Sequence, residues 1–414
     1  MRRPERDGGR PAQRWPSPVR IAAALGLVGV LGAGVVSTSG AALLRSGSPD
    51  TALRVAPWDA YALARAADRR ATVTAPDSAT AFRPIGDMAR RAVTRDPTIA
   101  TAWRTLGLVR AVSGDQQQAA ALMGAAERIS RRDLPTQLWL IEAAVNRNDI
   151  HGALVHYDTA MRTKPSSTGL LIPIMVGALD TPDVRPAIAR LLAANPPWAG
   201  DFLYALAQRP PAEGATAALF RAMRSAGRVP AGAATDAVIP ALVARRRFAE
   251  AAAVLAAVES RPTSRLRDGG FDQPGSYAPF DWQLGENELA GEVRSRPDRT
   301  DPALFADVGS STAGVVAQQL TTLRPGRYQF RFHAGPSDLH QPDAIEWRLT
   351  CADAGSSIGQ ITVRLTTQGT QAHDFTVPSS NCPAQWLSLF VRSGSDPQGS
   401  GAWVDDVAIV PLGS

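Results

Sequence analysis

The side chains best suited to covalent chemistry are two cysteines, Cys351 and Cys382. Two thiols cannot complete a zinc site alone, and no histidine lies close to either in sequence. In an exported chain, an oxidising compartment lets them pair as a disulfide; the alternative is two buried free thiols. Closing a loop of that length stabilises a fold by about 3–4 kcal/mol in the chain-entropy description. Catalytic constellations are missing from the sequence. There is no H-E-x-x-H, no phosphate-cradling loop and no S-x-x-K. A carboxylate pair of the glycosidase kind is the remaining option, and no acid stands in a context that marks it. The chain is therefore expected not to be an enzyme, the alternative being a glycan-active enzyme with accessory domains.

Charge adds a further exclusion. The formal net charge is +6, and Lys164 is the only lysine. The arginines are spread along helices and mostly have acids nearby, and they are not clustered with stacking aromatics. That pattern excludes a nucleic-acid partner.

The 414 residues leave room for two or three domains. Residues 1–20 carry Arg2, Arg3, Arg6, Arg10, Arg14 and Arg20 among Pro and Gly, a composition expected to form a disordered cytoplasmic tail. The stretch 21–44 is free of charge. A helix over it rises about 36 Å, enough to cross a bilayer. Arginines before it place the N-terminus in the cytoplasm and the later domains in the periplasm. The expected location is the bacterial inner membrane, with a single pass. Small residues from Ser37 to Ala42 also fit a cleavable signal, which would make the chain a secreted one.

Residues 52–262 read as short helices with an internal repeat. Ala92, Ala126, Ala160 and Ala194 recur every 34 residues (126−92, 160−126, 194−160), as do Ala119, Ala153 and Ala187, and Met123, Tyr157 and Leu191. Gly114-Asp115 and Asn148-Asp149 fall at the turn inside each hairpin, where a left-handed residue ends a helix. Small alanines allow close helix crossings, and hairpins that cannot bury their apolar faces alone must stack. Trp103 and Tyr157 are expected in the core, and His151 and His156 on the surface. Trp103, Leu106, Gly107, Gly114, Ala119, Met123 and Ala126 stand in the order of the tetratricopeptide repeat family, which this region resembles. The resemblance implies a concave surface that holds a peptide or protein partner.

From 265 to 414 the pattern changes to alternation. Ile345, Trp347, Leu349 and Cys351 alternate with polar residues, as do Tyr328, Phe330 and Phe332. Short strands with turn signals predict a two-sheet sandwich. Asp268-Gly269-Gly270-Phe271-Asp272 with Pro279-Phe280-Asp281-Trp282, then Leu323 to Tyr328, then Trp403 to Val407, resemble the carbohydrate-binding, galactose-binding-like jelly rolls. The resemblance implies a structural calcium held between Asp272 and Asp406 or Asp405, since hard oxygen ligands suit that ion; the alternative is that these aspartates cap turns. A second site lies on the polar face. Trp386 and Phe390 point away from Leu387 and Leu389. Beside Arg331, Glu346 or Arg348, such a ring could stack on a sugar and hydrogen-bond its hydroxyls, unless the face packs on the helices or a loop.

Together these features predict a multidomain chain. An all-α tetratricopeptide-like solenoid is joined to an all-β jelly-roll sandwich, and one N-terminal transmembrane helix precedes both. The expected partners are the membrane, a protein of the cell envelope and a polysaccharide, and the setting is exopolysaccharide or surface-glycan assembly.

Overall fold

The structure is a computed structural model. It describes residues 42–75, 80–229, 232–259, 266–273, 275–296, 301–309, 311–337, 344–353, 355–363, 369–392 and 401–412. The basic tail, and the stretch 21–44 apart from its last three residues, lie outside the described residues. Among the described residues, no helix is long and apolar enough to cross a membrane. The chain divides into two compact units, Met1–Thr163 and Lys164–Ser414.

The first unit is built from α1 (Pro49–Val55), α2 (Ala60–Val73), α3 (Phe82–Arg95), α4 (Ala100–Val112), α5 (Gln116–Ile129), α6 (Leu134–Asn146) and α7 (Ile150–Thr163). Aspartates open four of these helices. Asp59, Asp115, Asp133 and Asp149 each accept a hydrogen bond from the backbone N–H three residues on, at 2.7–3.2 Å. Gly114 and Asn148 take the left-handed conformation (φ 83° and 58°) that ends α4 and α6. The repeat is visible in the helices themselves: α3, α5 and α7 begin 34 residues apart (116−82, 150−116). Ala92, Ala126 and Ala160 are all buried. At Gly107 a Cβ would come within 3.1 Å of Met123, so α4 and α5 cross where side chains are smallest.

Tyr157 is buried and His151 is exposed, as expected. Two expectations fail. Trp103 is only half-buried, because its indole N–H donates to the Pro97 carbonyl oxygen (2.8 Å) and holds the ring at the loop before α4. His156 is not a surface residue. Its Nδ1 lies 3.0 Å from Gln137 Oε1 and 3.2 Å from Glu127 Oε1, which draws the ring between helices.

The second unit begins with α8 (Thr168–Gly177), α9 (Arg185–Ala193), α10 (Ala199–Gln208), α11 (Ala215–Ser225), α12 (Ala233–Asp236), α13 (Val238–Ala244) and α14 (Phe248–Val258). Here the 34-residue register is lost. Ala194 is exposed, and Ala187 and Leu191 are half-buried. The fully buried positions of α9 are Ile188, Ala189 and Leu192, one or two residues further on. Short 3-10 turns at Pro165–Ser167, Ala178–Asp180 and Pro182–Val184, with Pro173 inside α8, reset the phase of the chain.

Among the described residues, the same unit carries ten strands: β1 (Gln283–Leu284), β2 (Gly291–Ser295), β3 (Pro302–Ala306), β4 (Ala313–Thr321), β5 (Gly326–Pro336), β6 (Ala344–Cys351), β7 (Ser357–Thr362), β8 (Gly369–Val377), β9 (Gln385–Arg392) and β10 (Ala402–Pro411). They form two five-stranded sheets in the orders β1-β4-β9-β6-β7 and β2-β3-β10-β5-β8. Every pairing is antiparallel. From β3 to β10 the chain passes repeatedly from one sheet to the other, the connectivity of a jelly-roll sandwich. Period two sends Ile345, Trp347, Leu349, Leu387, Leu389 and Val391 inward, where they meet Phe330, Phe332 and Val404. Trp347 is fully buried, with ring centroids 5.2 Å from Phe330 and 6.0 Å from Trp282. Cys351, at the end of β6, is disulfide-bonded to Cys382, just before β9.

Candidate functional site

The outward side chains of the first sheet form one continuous polar and aromatic face. On β9 these are Trp386, Ser388 and Phe390. Cross-strand register sets Thr350, Arg348 and Glu346 of β6 beside them, and on the other flank Leu320, Gln318 and Val315 of β4. Thr362 and Gln360 of β7 extend the face beyond β6, and Gln283 of β1 extends it beyond β4.

The centre of this face is tightly connected. Arg348 lies over Phe390, with its guanidinium carbon 3.4 Å from the ring centroid. Arg348 Nε donates to Glu346 Oε2 at 3.2 Å, and Gln360 Nε2 donates to the same oxygen at 2.7 Å. Across the sheet, Gln318 Nε2 donates to Gln283 Oε1 at 3.1 Å. The face has two different ends. Leu320, opposite Trp386, is only 1% exposed, whereas Val315, opposite Phe390, is 36% exposed. Trp386 and Phe390 are both half-buried. The end bearing Phe390 is the open one.

This geometry can hold a flat polyhydroxylated ligand. The guanidinium plane, backed by Phe390, offers a stacking surface. Glu346, Gln360, Gln318 and Gln283 offer donors and acceptors in a row across neighbouring strands. Because Arg348 already covers the ring, a sugar would meet the guanidinium and not the bare aromatic face. Gln360, Gln318 and Gln283 escape a reading of the sequence. Gln360 and Gln283 stand on the edge strands β7 and β1, and on β4 a bulge between Val315 and Ala317 breaks the alternation that would have flagged Gln318.

Arg331 does not join the group. It stands on β5 in the second sheet, paired with Ala372 and Ala408, and its Nε donates to Gln329 Oε1 at 2.6 Å. Alternation along a strand shows that a residue points outward. It does not show which sheet the strand enters, because that is set by long-range pairing.

Of the predicted calcium acids, Asp405 already has a charged partner. Asp405 is buried, and its Oδ2 accepts from Arg296 Nη1 at 3.0 Å. Its Oδ1 accepts from the N–H of Asp406 at 2.7 Å. Burial pushes the Asp405 carboxyl above its ordinary range, and Arg296 opposes that in part. Arg296 also stacks on Trp403, its guanidinium carbon 4.2 Å from the ring centroid. Asp406 takes a left-handed backbone (φ 49°) inside a bulge of β10. Asp272 is exposed, and its N–H donates to Asp268 Oδ1 at 2.9 Å. Gly269 lies against β10, where Val407 N donates to its carbonyl at 2.9 Å and any Cβ would strike that strand's backbone. Among the described residues, no three acidic, histidine or cysteine side chains gather to hold a metal ion. Asp405 and Asp268 both accept hydrogen bonds from backbone N–H groups.

No family model matches this sequence, and no curated protein matches it. Among solved structures, the chain is similar to one described as "CBM4 structure and function", at 18% identity over 36% of this chain and 99% of that one, with a TM-score of 0.28. It is similar to the CBM22-1 xylan-binding domain from Paenibacillus barcinonensis Xyn10C, at 10% identity over 36% of this chain and 96% of that one, with a TM-score of 0.28. It is also similar to the C-terminal family 22 carbohydrate binding module of Clostridium thermocellum Xyn10B, at 15% identity over 37% of this chain and 96% of that one, with a TM-score of 0.27. At these TM-scores the likeness bears on neither ligand nor activity, and the two-sheet sandwich stands on the strand pairing itself.

Proposed function

We propose that this chain is a non-catalytic scaffold of the bacterial cell envelope that binds a glycan on the outward face of its first sheet. The observation that carries this reading is the group Arg348, Phe390, Glu346 and Gln360, a stacking plane joined to a row of hydrogen-bonding groups on a rigid sheet. The helical hairpins, read as tetratricopeptide-like repeats, hold a protein partner. The uncharged stretch 21–44 anchors the chain in the inner membrane, with both units in the periplasm. Surface-glycan or exopolysaccharide assembly is the setting that suits these parts.

Retention of the purified full-length chain on a panel of immobilised polysaccharides tests the reading, with the soluble phase assayed for released sugar. At least one glycan should retain the wild type, and Phe390→Ala and Arg348→Ala should weaken retention without product appearing. Retention by no glycan would remove the binding role, and steady product release would favour a glycan-active enzyme.

A further inference from the structure

We propose that the arginine-lined cleft between α3 and α4 binds an acidic peptide segment carrying an apolar side chain between two carboxylates. The cleft encloses about 390 Å³. Arg83 and Arg90 line it from α3 and Arg110 from α4, and Leu106 and Val109 supply its apolar wall. All three arginines are exposed. Asp87 is the acid among the described lining residues, and it is held by Arg90 at 2.7 Å. Among the described residues, Arg83 and Arg110 have no carboxylate within ion-pair distance. Arg91 and Arg95 carry positive charge further along α3.

Charge and shape together select the ligand. Guanidinium forks take carboxylates bidentately, so the cleft favours an acidic chain. Arg83 and Arg90 are two helical turns apart, about 10 Å along the axis. An extended peptide covers that distance in about three residues. The wall of Leu106 and Val109 then meets the side chain between the two acids. No aromatic ring is among the described lining residues, so a polyuronate would find no stacking platform there. The Asp87–Arg90 pair is solvent-exposed and weak, and it gives way to a ligand carboxylate.

This assigns a ligand class to the helical hairpins and rests on reading them as a protein-binding surface. The probe is a fluorescein-labelled peptide with a Glu-Ala-Leu-Glu core, followed by anisotropy against the full-length chain. Binding should weaken at least tenfold in the Arg83→Ala, Arg110→Ala double variant. It should weaken similarly for a peptide with both Glu replaced by Gln. Raising salt from about 50 to 300 mM should also weaken it, because the contacts are exposed charges. Equal binding of the Gln peptide, or insensitivity to salt, would overturn the proposal whether or not the variant keeps its helical circular dichroism. Displacement by polygalacturonate at equal charge would show a general polyanion surface instead. Undiminished binding by a folded double variant would keep the protein-binding reading and remove this cleft.

Discussion

The guanidinium of Arg348 lies 3.4 Å from the centroid of the Phe390 ring, on the outward side of the first sheet. Neither residue belongs to the core of the sandwich, which is filled by Trp347, Leu349, Leu387 and Leu389 from the other side of the same strands. An exposed cation–π pair is worth about 0.5–1 kcal/mol. Arg348→Ala should therefore lower unfolding stability by no more than about 1 kcal/mol, measured by urea titration. A loss several times larger would make the pair a structural brace.

The Cys351–Cys382 disulfide closes a loop of 31 residues between neighbouring strands of the first sheet. The chain-entropy description assigns such a loop about 3.5–4 kcal/mol. Replacing both cysteines with serine should lower the urea midpoint by a corresponding amount, with the sheet signal retained at low denaturant. An unchanged midpoint would mean that the loop is already constrained in the unfolded chain.

The buried pair Arg296–Asp405 supports the second sheet (side chains 1% and 5% exposed). Arg296→Met should cost about 3–5 kcal/mol, because it strands a buried carboxylate, while Arg296→Met with Asp405→Leu should recover much of the loss. A chelator should leave the thermal midpoint of the wild type in place. A fall that added calcium reverses would show a metal role for this end of the sandwich.

Asp268 sits partly buried in the loop that docks on β10, and burial pushes its carboxyl up, opposed in part by the N–H groups of Gln273 and Asp272. The folded state thus holds this proton to higher pH than the unfolded chain. Stability falls as pH rises through the window just above the ordinary carboxylate range, where the folded state binds more protons. Asp268→Asn keeps an acceptor for those N–H groups and removes the titration. Its thermal midpoint relative to wild type should rise between about pH 4 and pH 7. A difference that stays constant across that range would show that Asp268 titrates alike in both states.

Much of the architecture is written locally. The alternation around Trp347 and Leu389 marks the inward face, and Gly114 and Asn148 mark the hairpin turns. The alanines at 92, 126 and 160 mark the crossings of the first unit. What is not written locally depends on distant partners. Arg331 alternates as Arg348 does, yet β5 and β6 enter different sheets. Ala194 continues a 34-residue step that the helices have abandoned, because proline-containing turns between 165 and 184 shift the phase. The partnership of Asp405 with Arg296 spans 109 residues and leaves no mark in either neighbourhood.

The sharpest test compares the two outward faces of the sandwich. Dissociation constants of the best-retained glycan should be measured by isothermal titration for wild type, Arg348→Ala and Arg331→Ala. The account predicts a loss of about tenfold or more for Arg348→Ala and a change within about twofold for Arg331→Ala. Equal affinities for wild type and Arg348→Ala, or a loss confined to Arg331→Ala, would contradict it.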